Sequence, residues 1–118
     1  MTVQFKRIDH VTITVPPGKR EAAREFYTQV IGLKEIAGNH PNNALWLEIA
    51  GIELHIVEEE KSRLYANHPA FEITGLKQTI AYFQEKGVNV SFSSKIEGRE
   101  RFFIRDPFDN RIELLEFD

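Results

Sequence analysis

Two stretches of this chain repeat one another. Asp9-His10 leads into Val11-Thr12-Ile13-Thr14-Val15, and Asn67-His68 leads into Pro69-Ala70-Phe71-Glu72-Ile73. A helical pattern follows each, and each half closes on Ile-Glu-Leu, as Ile52-Glu53-Leu54 and as Ile112-Glu113-Leu114. The two His are 58 positions apart (68 minus 10), and the two Glu are 60 apart (113 minus 53). Packing alone does not require a His and a Glu to recur at matching places. The duplication therefore predicts a pseudo-symmetric site with up to two imidazoles and two carboxylates, which is a metal-ligand set.

A chain of 118 residues forms one compact domain, or two small units that share a core. Its net charge of −3 argues against nucleic acid as a partner, because such proteins carry a basic face. No apolar run is long enough to span a membrane, and the stretch Met1-Thr2-Val3-Gln4-Phe5-Lys6 lacks the apolar segment of a secretory signal. Cysteine is absent, which removes disulfides, thiolate metal sites and a cysteine nucleophile, and fits a cytoplasmic location.

The periodicity gives the elements. Ile8 to Val15 alternates, with Asp9, Val11, Ile13 and Val15 on the face that packs on a helix and Ile8, His10, Thr12 and Thr14 on a polar face. Ala22, Phe26 and Val30 recur at every fourth place, which predicts a helix over 19–31 that stops at Gly32. Short strands follow over 33–36, 44–49 and 52–57. Glu58-Glu59-Glu60-Lys61-Ser62-Arg63 reads as a solvated linker. The second half runs in the same order: a strand over 68–73, a helix begun by Thr74 as cap, a strand over 88–92, a polar loop over 93–99, a strand over 101–105, a tight turn at Asp106-Pro107-Phe108-Asp109-Asn110 and a last strand over 111–117. The expected class is α+β, one domain over 1–118 made of two tandem βαβββ modules (about 6–60 and about 66–118). Their strands would form a half-open, cup-shaped mixed sheet with the helices outside. His10, Glu53, His55, His68 and Glu113 would line the cup.

Imidazole and carboxylate together suit zinc, nickel, cobalt, manganese or ferrous iron. Several further residues carry two readings each. His55 shares a face with Glu53; it could replace Glu53 as a ligand, contact a substrate or be an ordinary hydrogen-bonded residue. Trp46 is a wall for a ligand or a packed core residue. Arg101, Phe103 and Arg105 alternate toward the cup, where the guanidiniums would hold a carboxylate-like anion or be solvated at the rim. His40 reads as solvent-exposed, Glu72 shares the face of His68, and Glu116 falls on the face opposite Glu113.

The module order, the segment Glu25-Phe26-Tyr27-Thr28-Gln29-Val30-Ile31-Gly32-Leu33 and the closing Asp106-Pro107-Phe108-Asp109-Asn110-Arg111-Ile112-Glu113-Leu114 resemble the vicinal oxygen chelate superfamily, which includes glyoxalase I, fosfomycin-resistance proteins, bleomycin-binding proteins and extradiol dioxygenases. The resemblance covers essentially the whole chain. It implies metal ligands at His10, Glu53, His68 and Glu113, a homodimer, and a site that two chains can share. It also implies a metal-dependent lyase or isomerase acting on a small oxygenated molecule, in which the metal stabilises an enediolate or alkoxide and Glu53 or Glu113 moves the proton. The alternatives it carries are a metal-free antibiotic-binding protein of the bleomycin-resistance kind and a fosfomycin-type thiol transferase. Two positions depart from the family pattern: Asp109 stands where the last turn usually has Gly, and the tyrosine expected near Phe103 is missing.

Overall fold

The computed structural model describes residue 4 and residues 6–60 and 68–118, so Asn67 and the Lys61-Ser62-Arg63 end of the linker lie outside the described residues. The chain separates into two compact units, Met1–Lys61 and Ser62–Asp118.

In the first unit, β1 (His10–Val15) is followed by α1 (Arg20–Glu25), β2 (Lys34–Glu35), β3 (Leu45–Ile49) and β4 (Ile52–Glu58). The sheet order is β1-β4-β3-β2, with β1 parallel to β4 and the other pairs antiparallel. Alternation decides what is buried. Leu45 faces Ile56 and Leu47 faces Leu54 in register, and all four are buried on the side where α1 meets β4. The β3–β4 hairpin turns on Ala50 and Gly51, both at positive φ (48° and 81°), as a two-residue turn matched to strand twist requires.

The helix expected over 19–31 is α-helical only to Glu25, and Phe26–Val30 forms a π turn in which the Ile31 N–H reaches the Phe26 carbonyl at 3.0 Å. The Thr28 hydroxyl donates to the Arg24 carbonyl at 2.7 Å, which competes with the regular backbone ladder and is a recognised cause of helix distortion. The widened turn lets the neighbours Phe26 and Tyr27 both be buried.

The second unit repeats the order: β5 (Ala70–Glu72), α2 (Leu76–Glu85), β6 (Val90–Ser91), β7 (Arg99–Arg105) and β8 (Arg111–Phe117), with sheet order β5-β8-β7-β6 and β5 parallel to β8. Phe102 faces Leu114 and Ile104 faces Ile112, all buried, and Phe83 of α2 meets Phe102 edge-on at 6.2 Å between ring centres. β7 begins two residues earlier than its sequence pattern indicates, because Arg99 and Glu100 still pair with Phe117 and Glu116. In the turn before β8, the buried Asp106 carboxylate accepts from the N–H groups of Phe108 (2.9 Å) and Asn110 (2.8 Å) and from the Asn110 amide (2.8 Å). Within this turn Asp109 adopts a left-handed conformation (φ 70°), which Asp tolerates better than most residues.

Thr74 does not cap α2. Gly75 is the N-cap at φ 73°, and the Glu116 carboxylate, reaching over from β8, accepts from the N–H groups of Gly75 (2.9 Å) and Leu76 (3.1 Å). Its counterpart is Glu58 at the end of β4, which accepts from the Gly18 N–H just before α1, so Glu58 belongs to the fold rather than to a solvated linker. Each carboxylate meets orphan amide donors at a helix start.

Register also refines the duplication. His10 pairs with Glu53 and Ala70 pairs with Glu113, so the structural repeat is 60 positions (70 minus 10), and His68 lies two residues ahead of the position equivalent to His10.

Replacing Glu116 with Ala is expected to cost about 1–2 kcal/mol in urea unfolding, the usual loss for a charged cap, with Gln recovering part of it. Phe102→Ala, at a site with no exposure, is expected to cost about 3–5 kcal/mol in the same assay.

Candidate functional site

In the first unit the face of the sheet away from the apolar core carries a polar row and an aromatic row. His10, Glu53, Glu48 and Lys34 are successive register partners across β1, β4, β3 and β2, and Thr12, His55 and Trp46 form the next row. The rings stack in one column. His10 lies 4.1 Å from His55, His55 lies 4.2 Å from Trp46, and Trp46 lies 4.0 Å from His40, with interplanar angles of 14°, 1° and 8°. His40 is therefore half-buried under Trp46, and its Nε2 donates to the Ile36 carbonyl at 2.9 Å; it is not the solvent-exposed residue its turn-rich segment indicates. Trp46 is sandwiched between two imidazoles, apart from the core that Leu45 and Leu47 form.

The polar partners fix which imidazole nitrogen is free. Asp9 does not point to the helix-packed face: the strand begins only at His10, and the exposed Asp9 carboxylate accepts from His10 Nδ1 at 2.9 Å. That bond, helped by the nearby Arg7, holds the Asp9 carboxyl below the usual carboxylate range. An ionised Asp9 keeps the proton of His10 on Nδ1 and leaves the Nε2 lone pair available. Glu53 is not bonded to His10. His55 Nε2 donates to Glu53 Oε1 at 2.9 Å, and His55 is nearly buried. A cleft of about 510 Å³ opens beside this row, lined among others by Arg7, Asp9, Lys34, Glu48 and Glu53.

In the second unit the corresponding face holds a direct His–Glu pair. His68 Nε2 donates to Glu113 Oε1 at 3.0 Å. Glu113 is buried, with 5 % exposure, and Arg101 Nη1 approaches the same oxygen at 3.4 Å. Phe103, the register partner of Glu113, presents its face to the Arg111 guanidinium at 3.9 Å and meets the His68 ring edge-on at 5.5 Å. Arg101 also donates to Ser94, and Arg105 donates to the Asp109 carbonyl at 3.1 Å.

The expected donors thus fall into two groups. His68 meets Glu113; His10 and Glu53 are neighbours in register but each holds a different partner. Among the described residues, no three His, Asp or Glu side chains converge as a metal cluster. The donor chemistry suits a divalent ion nonetheless: a neutral imidazole with its second nitrogen tied to a carboxylate is the usual form of a metal-binding His. Sequence reasoning missed Asp9 and Arg111. The signals were present, since Asp9 directly precedes His10 and Arg111 shares a strand face with Glu113 by alternation.

No helix among the described residues is long and apolar enough to cross a membrane. Comparison with known proteins shows the lineage. A Bacillus anthracis protein assigned to the glyoxalase family superimposes with a TM-score of 0.90 at 31 % identity over 100 % of both chains. Lactoylglutathione lyase from Agrobacterium tumefaciens (TM-score 0.74, 17 % identity, 93 % of this chain and 92 % of that one) shares the fold. So does TnmS3, an antibiotic binding protein from Streptomyces sp. CB03234 (TM-score 0.75, 21 % identity, 97 % and 100 %). A search of curated proteins by sequence found no match. The family model of the Glyoxalase/Bleomycin resistance protein/Dioxygenase superfamily matches residues 7–114, and this chain belongs to that superfamily, the vicinal oxygen chelate fold.

Proposed function

We propose that the protein is a divalent-metal-dependent lyase or isomerase of the glyoxalase kind, cytoplasmic and homodimeric, acting on a small molecule with vicinal oxygens. His10, Glu53, His68 and Glu113 are its proposed metal donors, drawn from one chain or shared between two. The observation that carries this reading is the Asp9–His10 hydrogen bond, which fixes an imidazole with its Nε2 lone pair free. The His68–Glu113 pair, in which the Glu is buried, adds a second nitrogen and oxygen donor set.

A bound divalent ion would supply Lewis-acid polarisation of a substrate carbonyl. The rest is the work of the chain's own side chains. Glu113 is the proposed base that takes a proton from carbon beside the carbonyl and returns it; His68 and Arg101 already hold its Oε1 and orient it. Glu53, steadied by His55, is the second carboxylate able to move a proton. The stacked column of His10, His55, Trp46 and His40 braces these side chains against one another on the polar face of the sheet.

The cleft of about 510 Å³ beside the polar row supports a second reading, a metal-free protein that sequesters a small molecule. The neighbour TnmS3 is an antibiotic binding protein of this fold.

Metal analysis of protein purified without chelator separates the two. The metal-dependent reading expects bound divalent ion in the wild type, its loss in His10→Ala and His68→Ala, and an affinity lowered about 10- to 100-fold in Asp9→Asn, where the tautomer is no longer fixed. Chelation should also lower the melting temperature, since a ligand bound only by the folded state stabilises it. Unchanged metal content in both His variants, or a melting temperature indifferent to chelator, would overturn it.

A further inference from the structure

Four guanidiniums share one face of the β7–β8 pair, those of Arg99, Arg101, Arg105 and Arg111, and the structure does not treat them alike. Arg99, at the far end of the pair from Glu113, lies over the Phe117 ring at 4.7 Å. Arg105 faces Arg111 in register, Phe103 faces Glu113, and Arg101 faces Leu115. Arg101 is fully engaged: Nε and Nη2 donate to the Ser94 carbonyl at 3.3 and 2.9 Å, and Nη1 reaches Glu113. Arg105 is tied to the turn, through the Asp109 carbonyl at 3.1 Å and its carboxylate at 3.8 Å. Among the described residues the Arg111 side chain makes no hydrogen bond or ion pair; its guanidinium carbon sits 3.9 Å from the centre of the Phe103 ring.

This arrangement is costly as pure architecture. Like charges directly opposite across an antiparallel pair are destabilising, and Arg105, which faces Arg111, has the Asp109 carboxylate beside it at 3.8 Å. The Phe103 ring holds the Arg111 guanidinium in place while leaving its N–H donors unused, so a preorganised fork awaits two oxygens. Arg111 stands two residues before Glu113 on the same face, a separation of about 7 Å along a strand.

The geometry points to Arg111 as a specificity-determining residue that binds a small oxyanion, carboxylate or phosphonate, carried by the substrate within a few bonds of its reacting carbon. The reacting end of this assignment rests on the metal-dependent reading above; the anion end stands on Arg111 and Phe103 alone. The substrate class is therefore a small oxo or hydroxy compound with an acidic terminus, rather than a neutral one. Arg101, occupied with Ser94 and Glu113, positions the carboxylate and is not the anion receptor.

Ligand-detected NMR titration of the full chain, treated with chelator, tests the anion end without the metal. Three probes share one acetyl carbonyl: pyruvate, methyl acetylphosphonate and the neutral butane-2,3-dione. The wild type is expected to bind at least one anion about 10- to 100-fold more tightly than the dione, the range that charge-assisted hydrogen bonds give. Whichever anion it prefers identifies the oxyanion as planar or tetrahedral. Arg111→Met should abolish the preference and Arg111→Lys should keep part of it, while Lys77→Met, which removes a positive charge from the exposed surface of α2, should retain it in full. Equal binding of all three probes by the wild type, no binding of any, or an undiminished preference in a folded Arg111→Met overturns the proposal. Because no metal is present, failure of the metal-dependent reading would leave this result untouched.

Discussion

The parallel pairing of the first and last strand in each unit is the constraint from which the rest follows. β1 lies beside β4 and β5 beside β8, although each pair is far apart in sequence. A parallel pair needs a crossover, and the helix with its following strands supplies one. The consequence is chemical as well as architectural. The strand that carries His10 is laid directly against the strand that carries Glu53, and the approach to β5 brings His68 to Glu113. A local hairpin could not bring these residue types together with both helices on the apolar side.

Strand parity then divides the acidic residues by task. Glu113 and Glu116 are three residues apart on β8 and point to opposite faces: Glu113 meets His68 and Arg101, while Glu116 receives the first N–H groups of α2. Glu53 and Glu58 on β4 divide in the same way, with Glu53 held by His55 and Glu58 by the Gly18 N–H. In each unit one carboxylate secures the helix and another is left for the polar face. The duplication is thus preserved in the capping as well as in the site.

The fold was legible because its signals are local and periodic. Alternation in Leu45–Ile49 and Arg111–Phe117, the four-residue period after Arg20, and the turn residues at Ala50-Gly51 and around Asp109 each bias the backbone without help from distant residues. The family-defining residues were legible for the same reason. What escaped depends on contacts between segments. Nothing in the neighbourhood of Thr74 announces that Glu116, 42 positions later (116 minus 74), will take its place as cap. His40 sits in a segment full of turn formers, yet the Trp46 ring covers it. Register alone does not give the partner of Glu53: His10 is opposite, but His55, two residues along the same strand, makes the bond. Backbone pairing fixes which side chains are near; rotamers and competing partners decide which of them touch.

Competition between partners also explains how the two units differ despite their common origin. In the first, the His10 proton goes to Asp9 and the Glu53 charge goes to His55, so carboxylate and imidazole are each satisfied separately and the His10 Nε2 is spare. In the second, His68 and Glu113 satisfy each other, and Arg101 adds a second positive neighbour to the buried carboxylate. Glu113 has lost most of its hydration, and a buried carboxyl group depends on such hydrogen-bonding neighbours. A cation arriving there would replace a proton-sharing contact rather than fill bare space, and its affinity would reflect that exchange. The two-residue offset of His68 from the structural repeat accounts for the asymmetry: His10 stands within its strand, stacked on His55, whereas His68 precedes β5 and reaches Glu113.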